Sequence, residues 1–366
     1  MSSEGVRRPG SRSRRSGIVA IAKVLGVSPS TVSNAYNRPD QLSPALREQI
    51  LKTAEAVGYA GPDPIARNLR RGRTGALGVV FSEPLPYPFS DPTAVTMLQG
   101  LAERAADEQF ALMFVPGSAD LPAHSNSIRG AAVDGFILHS LHDDDTRLKL
   151  AIARPLPAVV IDSPRLTEVD FVGIDDRGAA AAAMGHLLEL GHRSPAVLSF
   201  RLTGHGHVGL VDENERRGTT AAVARERLAG CADAIAKVGL DWEEVLVEEC
   251  ASSSVVAGRE GAHELLERAP ETTAIFAFSD LLALGTRQAA LERGLEIPGD
   301  LSIVGFDGCA GEPEGLTTIY QPEHEKGRIA AERLLAGLAG GSRRPVQHIL
   351  PTHLVVRSST APPASA

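Results

Sequence analysis

Several polar side chains in this sequence stand where short apolar runs end. Asp162 follows Val159-Val160-Ile161, His139 follows Phe136-Ile137-Leu138, and Asp307 follows Val304-Gly305-Phe306. Ser279 and Asp280 follow Ile275-Phe276-Ala277-Phe278, and Arg227 lies in Arg225-Glu226-Arg227-Leu228-Ala229-Gly230, read as opening a helix. One Asp in such a place is ordinarily an N-cap or turn residue. Four strand ends converging on one cleft are harder to dismiss. A charged Asp and Arg there suit the hydroxyls of a sugar or another polyhydroxy or nucleoside-like molecule.

Other chemistry finds less support. Gly204-His205-Gly206-His207-Val208-Gly209 spells G-x-G-x-x-G, but a dinucleotide fingerprint needs a helix to open there onto the pyrophosphate. Asp212-Glu213-Asn214-Glu215-Arg216-Arg217 follows instead and reads as exposed loop. His205 and His207 lack a third ligand at a plausible spacing, so no metal is expected. No G-x-S-x-G elbow and no G-x-x-x-x-G-K-[ST] phosphate loop occurs. The expectation is a chain that is not an enzyme and needs no cofactor. Cys231, Cys250 and Cys309 are widely spaced and odd in number, as suits thiols in a reducing compartment.

A second polar constellation lies near the N-terminus. Ile18, Ile21, Ala22 and Leu25 share one helical face, which Gly26 ends. Ser28 then suits an N-cap and Pro29 a first helical position. In this next helix Val32 and Ala35 point inward, while Ser30, Thr31, Ser33 and Asn34 form a polar face. A third helix starts at Ser43-Pro44, runs through Leu46, Ile50, Leu51, Ala54 and Val57, and ends at Gly58. Two helices joined by a few residues make a helix-turn-helix, whose second member enters the DNA major groove. Small polar residues also cap or solvate helices, so spacing alone favours this reading only modestly.

Charge follows the same division. The first 75 residues hold 13 Lys and Arg against 5 Asp and Glu, net +8, and the remainder nets −16. A basic head on an acidic body suits a chain that meets a polyanion at one end. Five of those cations lie in a polar tail over 1–16, read as disordered, so charge does not by itself separate a DNA-binding head from a basic tail. Past Asp63-Pro64, the segment Ile65 to Arg70 gives about two helical turns before Gly72. That is shorter than the ~12–15 residues a helix needs for marginal stability alone.

The elements that must position the strand-end residues begin at Gly75. Apolar runs Leu77–Phe81, Ala111–Val115, Gly135–Leu138, Ala158–Ile161 and Phe171–Gly173 form one set of strands. Ala196–Phe200, Val245–Glu248, Ala274–Phe278 and Ser302–Val304 form another, with amphipathic helices between strands throughout. Such alternation predicts an α/β body of two lobes with doubly wound parallel sheets, whose ligands sit beyond the strands' carboxyl ends. No run reaches membrane-span length, and no long apolar stretch follows the basic N-terminus, so a cytoplasmic protein is expected.

The motifs Gly26-Val27-Ser28-x-x-Thr31-Val32-Ser33, Asn37, Gly58-Tyr59 and Ala66-Arg67-x-Leu69 resemble the head of the lactose/galactose repressor (LacI/GalR) family. They fall in order at matching separations, and the similarity continues through the body. The resemblance implies a helix-turn-helix domain over 17–61, a hinge helix over 62–73, and a two-lobed periplasmic-binding-protein-like effector and dimerisation domain over 74–357. A tail over 358–366 reads as disordered and lacks heptads.

The function implied is a homodimeric regulator, a repressor in the usual case, that binds double-stranded operator DNA under control of a small-molecule effector. Ser28, Pro29, Ser30, Thr31, Ser33, Asn34 and Asn37 would meet DNA. Ala66, Arg67, Leu69 and Arg70 would form a minor-groove hinge with Leu69 as wedge. His139 would join the cleft, while Asp162, Arg227, Ser279, Asp307 and Gln321 match effector-bonding positions and Phe89 packs on the ligand. The chain departs from the family pattern at Ala20, at Asn34 (usually Arg), at Ser279 (usually Asn), in the proline-rich Pro84–Thr93 and in a long loop over 201–217. That loop is expected to cover the effector. Two rivals remain at this point, a solute-binding protein and a nicotinamide-dependent enzyme.

Overall fold

The computed structural model describes residues 11–59, 61, 73–116, 125–203, 208–308, 315–340 and 343–364. The proposed hinge residues Ala66, Arg67, Leu69 and Arg70 lie outside the described residues, as do His205, His207 and Cys309. The chain divides into two compact units, residues 1–74 and 75–366.

The first unit holds three helices, α1 (Ser11–Leu25), α2 (Pro29–Asn37) and α3 (Pro44–Ala56). Its core comprises Ile21, Ala22, Val32, Ala35, Ile50 and Ala54, with Tyr36 and Tyr59 edge-to-face at 6.0 Å. Gly26 turns the chain at φ +67, where a side chain would be strained. The Ser28 hydroxyl accepts from the amide of Thr31 at 3.0 Å and so caps α2. Helix α1 begins at Ser11, within the stretch read as disordered. Extending a formed helix by one residue costs far less than nucleating it, so the apolar pattern fixes the core-facing part and not the start.

The second unit contains two sheets. The first has the order β12-β5-β4-β3-β1-β2, all parallel, where β1 is Ala76–Phe81, β2 Ala111–Phe114, β3 Gly135–His139, β4 Ala158–Ile161, β5 Asp170–Ile174 and β12 Gln347–Leu350. The second has the order β13-β11-β10-β9-β6-β8-β7, with β6 Pro195–Ser199, β7 Gly209–Leu210, β8 Val247–Glu249, β9 Ala274–Ala277, β10 Ser302–Asp307, β11 Thr317–Tyr320 and β13 His353–Val355. Only its edge strands β7 and β13 run antiparallel. The central strands of both sheets are buried, with helices packed beside them.

Helices α4 (Pro92–Asp107), α5 (Ser125–Gly130), α6 (Thr146–Ile152) and α7 (Asp176–Glu189) follow strands of the first sheet. Helices α8 (Glu213–Arg217), α9 (Ala222–Lys237), α10 (Val255–Arg268) and α11 (Asp280–Glu292) follow strands of the second. After β11 the chain returns to the first lobe through α12 (Glu323–Leu338), which packs against α4. A Cβ on Gly327 would stand 1.9 Å from the Met97 carbonyl oxygen, and one on Gly100 as close to that of His324. Glycine at both places lets these helices meet backbone to backbone.

Four strands, β7, β11, β12 and β13, were not among those expected. They are two to four residues long and three lie at sheet edges, where neither length nor a continuous apolar run marks them. One expected loop is helical, and one helix begins earlier than expected. Residues 213–217 form α8, opened by a reciprocal capping box between Asp212 and Glu215. Arg227 lies inside α9, which begins at Ala222, rather than at a helix start.

The tail is packed as far as it is described. Ser359 is buried, its hydroxyl accepting from the Thr317 amide at 2.8 Å and donating to the Ile303 carbonyl at 2.6 Å. Hydrogen bonds to sheet residues hold this segment, and they leave no mark in hydrophobic periodicity. No single helix among the described residues is long and apolar enough to cross a membrane. Cys231 and Cys250 are buried free thiols, both pushed up by burial.

Candidate DNA-reading helix and effector cleft

The carboxyl ends of both sheets open onto one cavity of about 130 Å³. Of the cleft residues singled out from sequence, His139, Asp162, Arg227, Ser279, Asp307 and Gln321 all line it. Phe89 does not. It is 60% exposed and packs on Phe114 with ring centroids 5.1 Å apart. The proline-rich segment instead sends in Tyr87 and the α4 N-cap Asp91, which share a hydrogen bond.

Arg227 is held on three sides. Its Nε donates to Asp176 Oδ1 at 2.9 Å, its Nη1 donates to the Phe278 carbonyl at 2.5 Å, and its guanidinium carbon lies 3.5 Å from the Phe306 ring centre. Such fixing gives a planar donor in a set orientation. Ser279 caps α11 by accepting from Leu282 N at 3.2 Å, and it also accepts from the Ser253 hydroxyl at 2.8 Å. Asp162 and Asp307 adopt φ +63 and +125. Non-glycine residues in such conformations cost on the order of 1–3 kcal/mol and gather at functional sites.

The cleft's polar groups form one connected network. Lys326 Nζ donates to Asp162 Oδ1 (2.7 Å), Gln321 Oε1 (2.6 Å) and Glu323 Oε1 (2.8 Å). Gln321 Nε2 donates to Asp307 Oδ1 at 2.7 Å, and His139 Nε2 lies 3.5 Å from Asp162 Oδ2. Burial pushes the Asp162 carboxyl up, but Lys326 and His139 more than offset this and leave it below its ordinary value. Burial also keeps His139 below the usual imidazole range. Asp307 is pushed by burial up to about 7 and Glu323 up to about 8, despite Arg227 beside the first and Lys326 beside the second.

Contacts beside the cleft residues His142 and Ala221 also bridge the lobes. Asp143, following β3, accepts from Arg225 of α9 at 2.6 Å, and its amide donates to the Thr220 carbonyl at 3.1 Å. The G-x-G-x-x-G stretch carries no helix start at its described end. Gly209 begins β7, and the following helix opens only at Glu213. No group of three His, Cys, Asp or Glu that could hold a metal occurs among the described residues.

In the other unit, Ser28, Pro29 and Ser30 are exposed, while Thr31, Ser33, Asn34 and Asn37 are half-buried. Asn34 Nδ2 donates to Gln41 Oε1 at 3.3 Å, and Asn37 Nδ2 donates to the Ser33 carbonyl at 2.9 Å. Val32 and Ala35 are in the core.

A periplasmic binding protein-like domain model matches residues 184–360. An HTH-type transcriptional regulator of Mycobacterium tuberculosis is 41% identical over 358 residues, 96% of this chain and 98% of that one. The crystal structure of a LacI-family regulator from Corynebacterium glutamicum is 35% identical with a TM-score of 0.73, covering 94% of this chain and 99% of that one. The chain belongs to the LacI family of helix-turn-helix transcriptional regulators. A further structure, the CelR–cellobiose complex, is 27% identical with a TM-score of 0.67 and covers 96% and 100%. These likenesses place this LacI-family protein among DNA-binding regulators and not among enzymes.

Among the cleft residues of this regulator that its sequence did not single out are Tyr87, Asp91 and Glu323, together with Lys326, which bonds Glu323 and Asp162. Tyr87 sits in a proline-rich loop. Glu323 and Lys326 occupy the first turn of α12, where charged residues ordinarily face solvent. The packing of α4 on α12 turns Lys326 inward, and no periodicity announces that.

Proposed function

We propose that this LacI-family chain is a homodimeric repressor whose grip on a specific operator is set by a polyhydroxy effector bound between its two lobes. The observation that carries this reading is the cavity at the sheets' carboxyl ends, where His139 and Asp162 of one lobe meet Arg227, Ser279 and Asp307 of the other. A ligand touching both lobes favours one lobe arrangement over another by its difference in affinity for them. A solved structure of the related CelR is a complex with cellobiose, which supports a sugar-like effector. Ser28, Pro29, Ser30, Thr31, Ser33, Asn34 and Asn37, at and along α2, would meet phosphates and base edges. Ala66, Arg67, Leu69 and Arg70 would order on DNA as the hinge.

The test is fluorescence anisotropy of host genomic duplexes at two salt concentrations, with and without candidate polyols. Nanomolar, salt-sensitive binding to one pseudo-palindromic fragment, altered by a polyol, is the expected result. Removing residues 1–73 should abolish it while the body still melts cooperatively. Absence of sequence-selective binding to any fragment would sink the reading.

A further inference from the structure

The charges lining the cleft do not balance, even though Glu83 and Arg201, which also line it, offset one another. Arg227 is committed to Asp176 and Lys326 to Asp162. Asp91, Asp307 and Glu323 line the same cavity and are 7%, 8% and 5% exposed. Asp91 caps a helix of the first lobe, Asp307 ends a strand of the second, and Glu323 stands where the chain crosses between them.

The three differ in how they are satisfied. Asp91 accepts from the Tyr87 hydroxyl and the Thr93 amide. Asp307 accepts from the Gln321 side chain and, at 3.4 Å, from the Asp280 amide. Glu323 gives only Oε1 to Lys326, and its Oε2 is buried with no hydrogen-bond partner among the described residues. A buried oxygen left this way is costly, and a ligand that donates to it recovers the loss.

We infer that the cleft takes a polyhydroxylated amine, its ammonium group seated against Glu323 Oε2 and Asp307 and its hydroxyls against the remaining polar groups. This deepens the effector reading above and rests on it. A neutral polyol supplies a donor for Glu323 but leaves the excess negative charge in place. A sugar phosphate meets that charge as repulsion.

The surroundings set the pH dependence. Asp307 faces Arg227 and Asp91, while Glu323 faces Lys326, Asp162 and Asp307. In the unliganded cleft, burial raises both carboxyls into the neutral range, so protons offset the excess charge. An ammonium group takes the place of those protons. Its binding therefore tightens as pH rises.

The experiment uses the full chain, calorimetry and thermal shift, with pairs differing by an amine for a hydroxyl. Glucose is matched with glucosamine and sorbitol with 1-amino-1-deoxysorbitol, and glucose 6-phosphate is the anionic arm. At least one amine should bind about tenfold more tightly than its neutral partner. The strongly basic 1-amino-1-deoxysorbitol should gain about tenfold from pH 6 to pH 8, as one site carboxyl of pKa near 7 ionises. Glucose 6-phosphate should give no shift. Glu323→Gln, which keeps an acceptor for Lys326 and loses the charge, should remove the amine's advantage, with Asp307→Asn as the second variant should the first fail to fold. Neutral polyols that bind as well as their amines would overturn this inference and leave the effector reading standing. If no polyol of either kind stabilises the chain or alters operator binding, both fall.

Discussion

Lys326 Nζ donates to Gln321 Oε1 at 2.6 Å, and this bond spans the point where the chain leaves the second lobe for the first. The same ammonium holds Asp162 and Glu323, so one buried cation serves the Asp162 carboxylate and a second buried carboxyl group. Removing one partner of a buried ion pair leaves an uncompensated charge and costs about 3–5 kcal/mol. Lys326→Met should lower the stability of the body by that amount in equilibrium urea unfolding at pH 7. A loss under 1 kcal/mol would show that the network does not depend on this cation.

The raised carboxyls give a second expectation. Asp307 and Glu323 hold protons in the folded state at pH values where the unfolded chain has released them. Folding then binds more protons than unfolding, so their contribution to stability falls as pH rises from about 5 through about 8. His139 acts oppositely. Its folded pKa is depressed, so its contribution rises as pH climbs through about 6.5. Glu323→Gln should therefore flatten the alkaline side, recovering up to about 1.4 kcal/mol per pH unit between pH 6 and 8. Urea midpoints across pH 5 to 9 check this, and unchanged slopes would refute it.

Much of the architecture and part of the cleft were legible because they rest on local patterns. Apolar runs marked the central strands, and polar residues at their ends marked Asp162, Ser279 and Asp307, since a strand that stops at a cleft changes residue type abruptly. Ser28 and Gly26 declared the turn of the head. What stayed hidden depends on partners distant in sequence. Lys326 is buried by helix packing across more than 200 residues, and Ser359 is held by strands that precede it. Phe89 shows the reverse case. The resemblance assigned it to the ligand, yet the proline-rich loop turns it outward and brings in Tyr87.

The packed tail can be tested by one hydroxyl. Ser359 Oγ is the acceptor for the buried Thr317 amide and a donor to the Ile303 carbonyl. Ser359→Ala leaves both without that partner, which costs about 1–3 kcal/mol for a buried group. Thermal unfolding should register the loss, and hydrogen exchange should localise it to β10 and β11. An unchanged melting temperature would mean that the segment is not held in solution.

The hinge proposal separates two kinds of DNA contact. On that proposal Arg67 and Arg70 would release counterions from any duplex and so contribute to every sequence alike. Leu69 as a wedge acts only where base steps are unstacked and the DNA is bent, which happens at the specific site. Leu69→Ala should thus weaken operator binding by about tenfold or more while changing affinity for random duplex by less than about twofold, since unstacking is compensated only by the contacts of the bent complex. Anisotropy titrations on both duplexes, each at two salt concentrations, give the comparison. The slope of log affinity against log salt should stay the same in the variant, because no phosphate contact is lost. Equal loss on both duplexes, or a shallower slope, would show that residue 69 acts by general attachment and not by wedging.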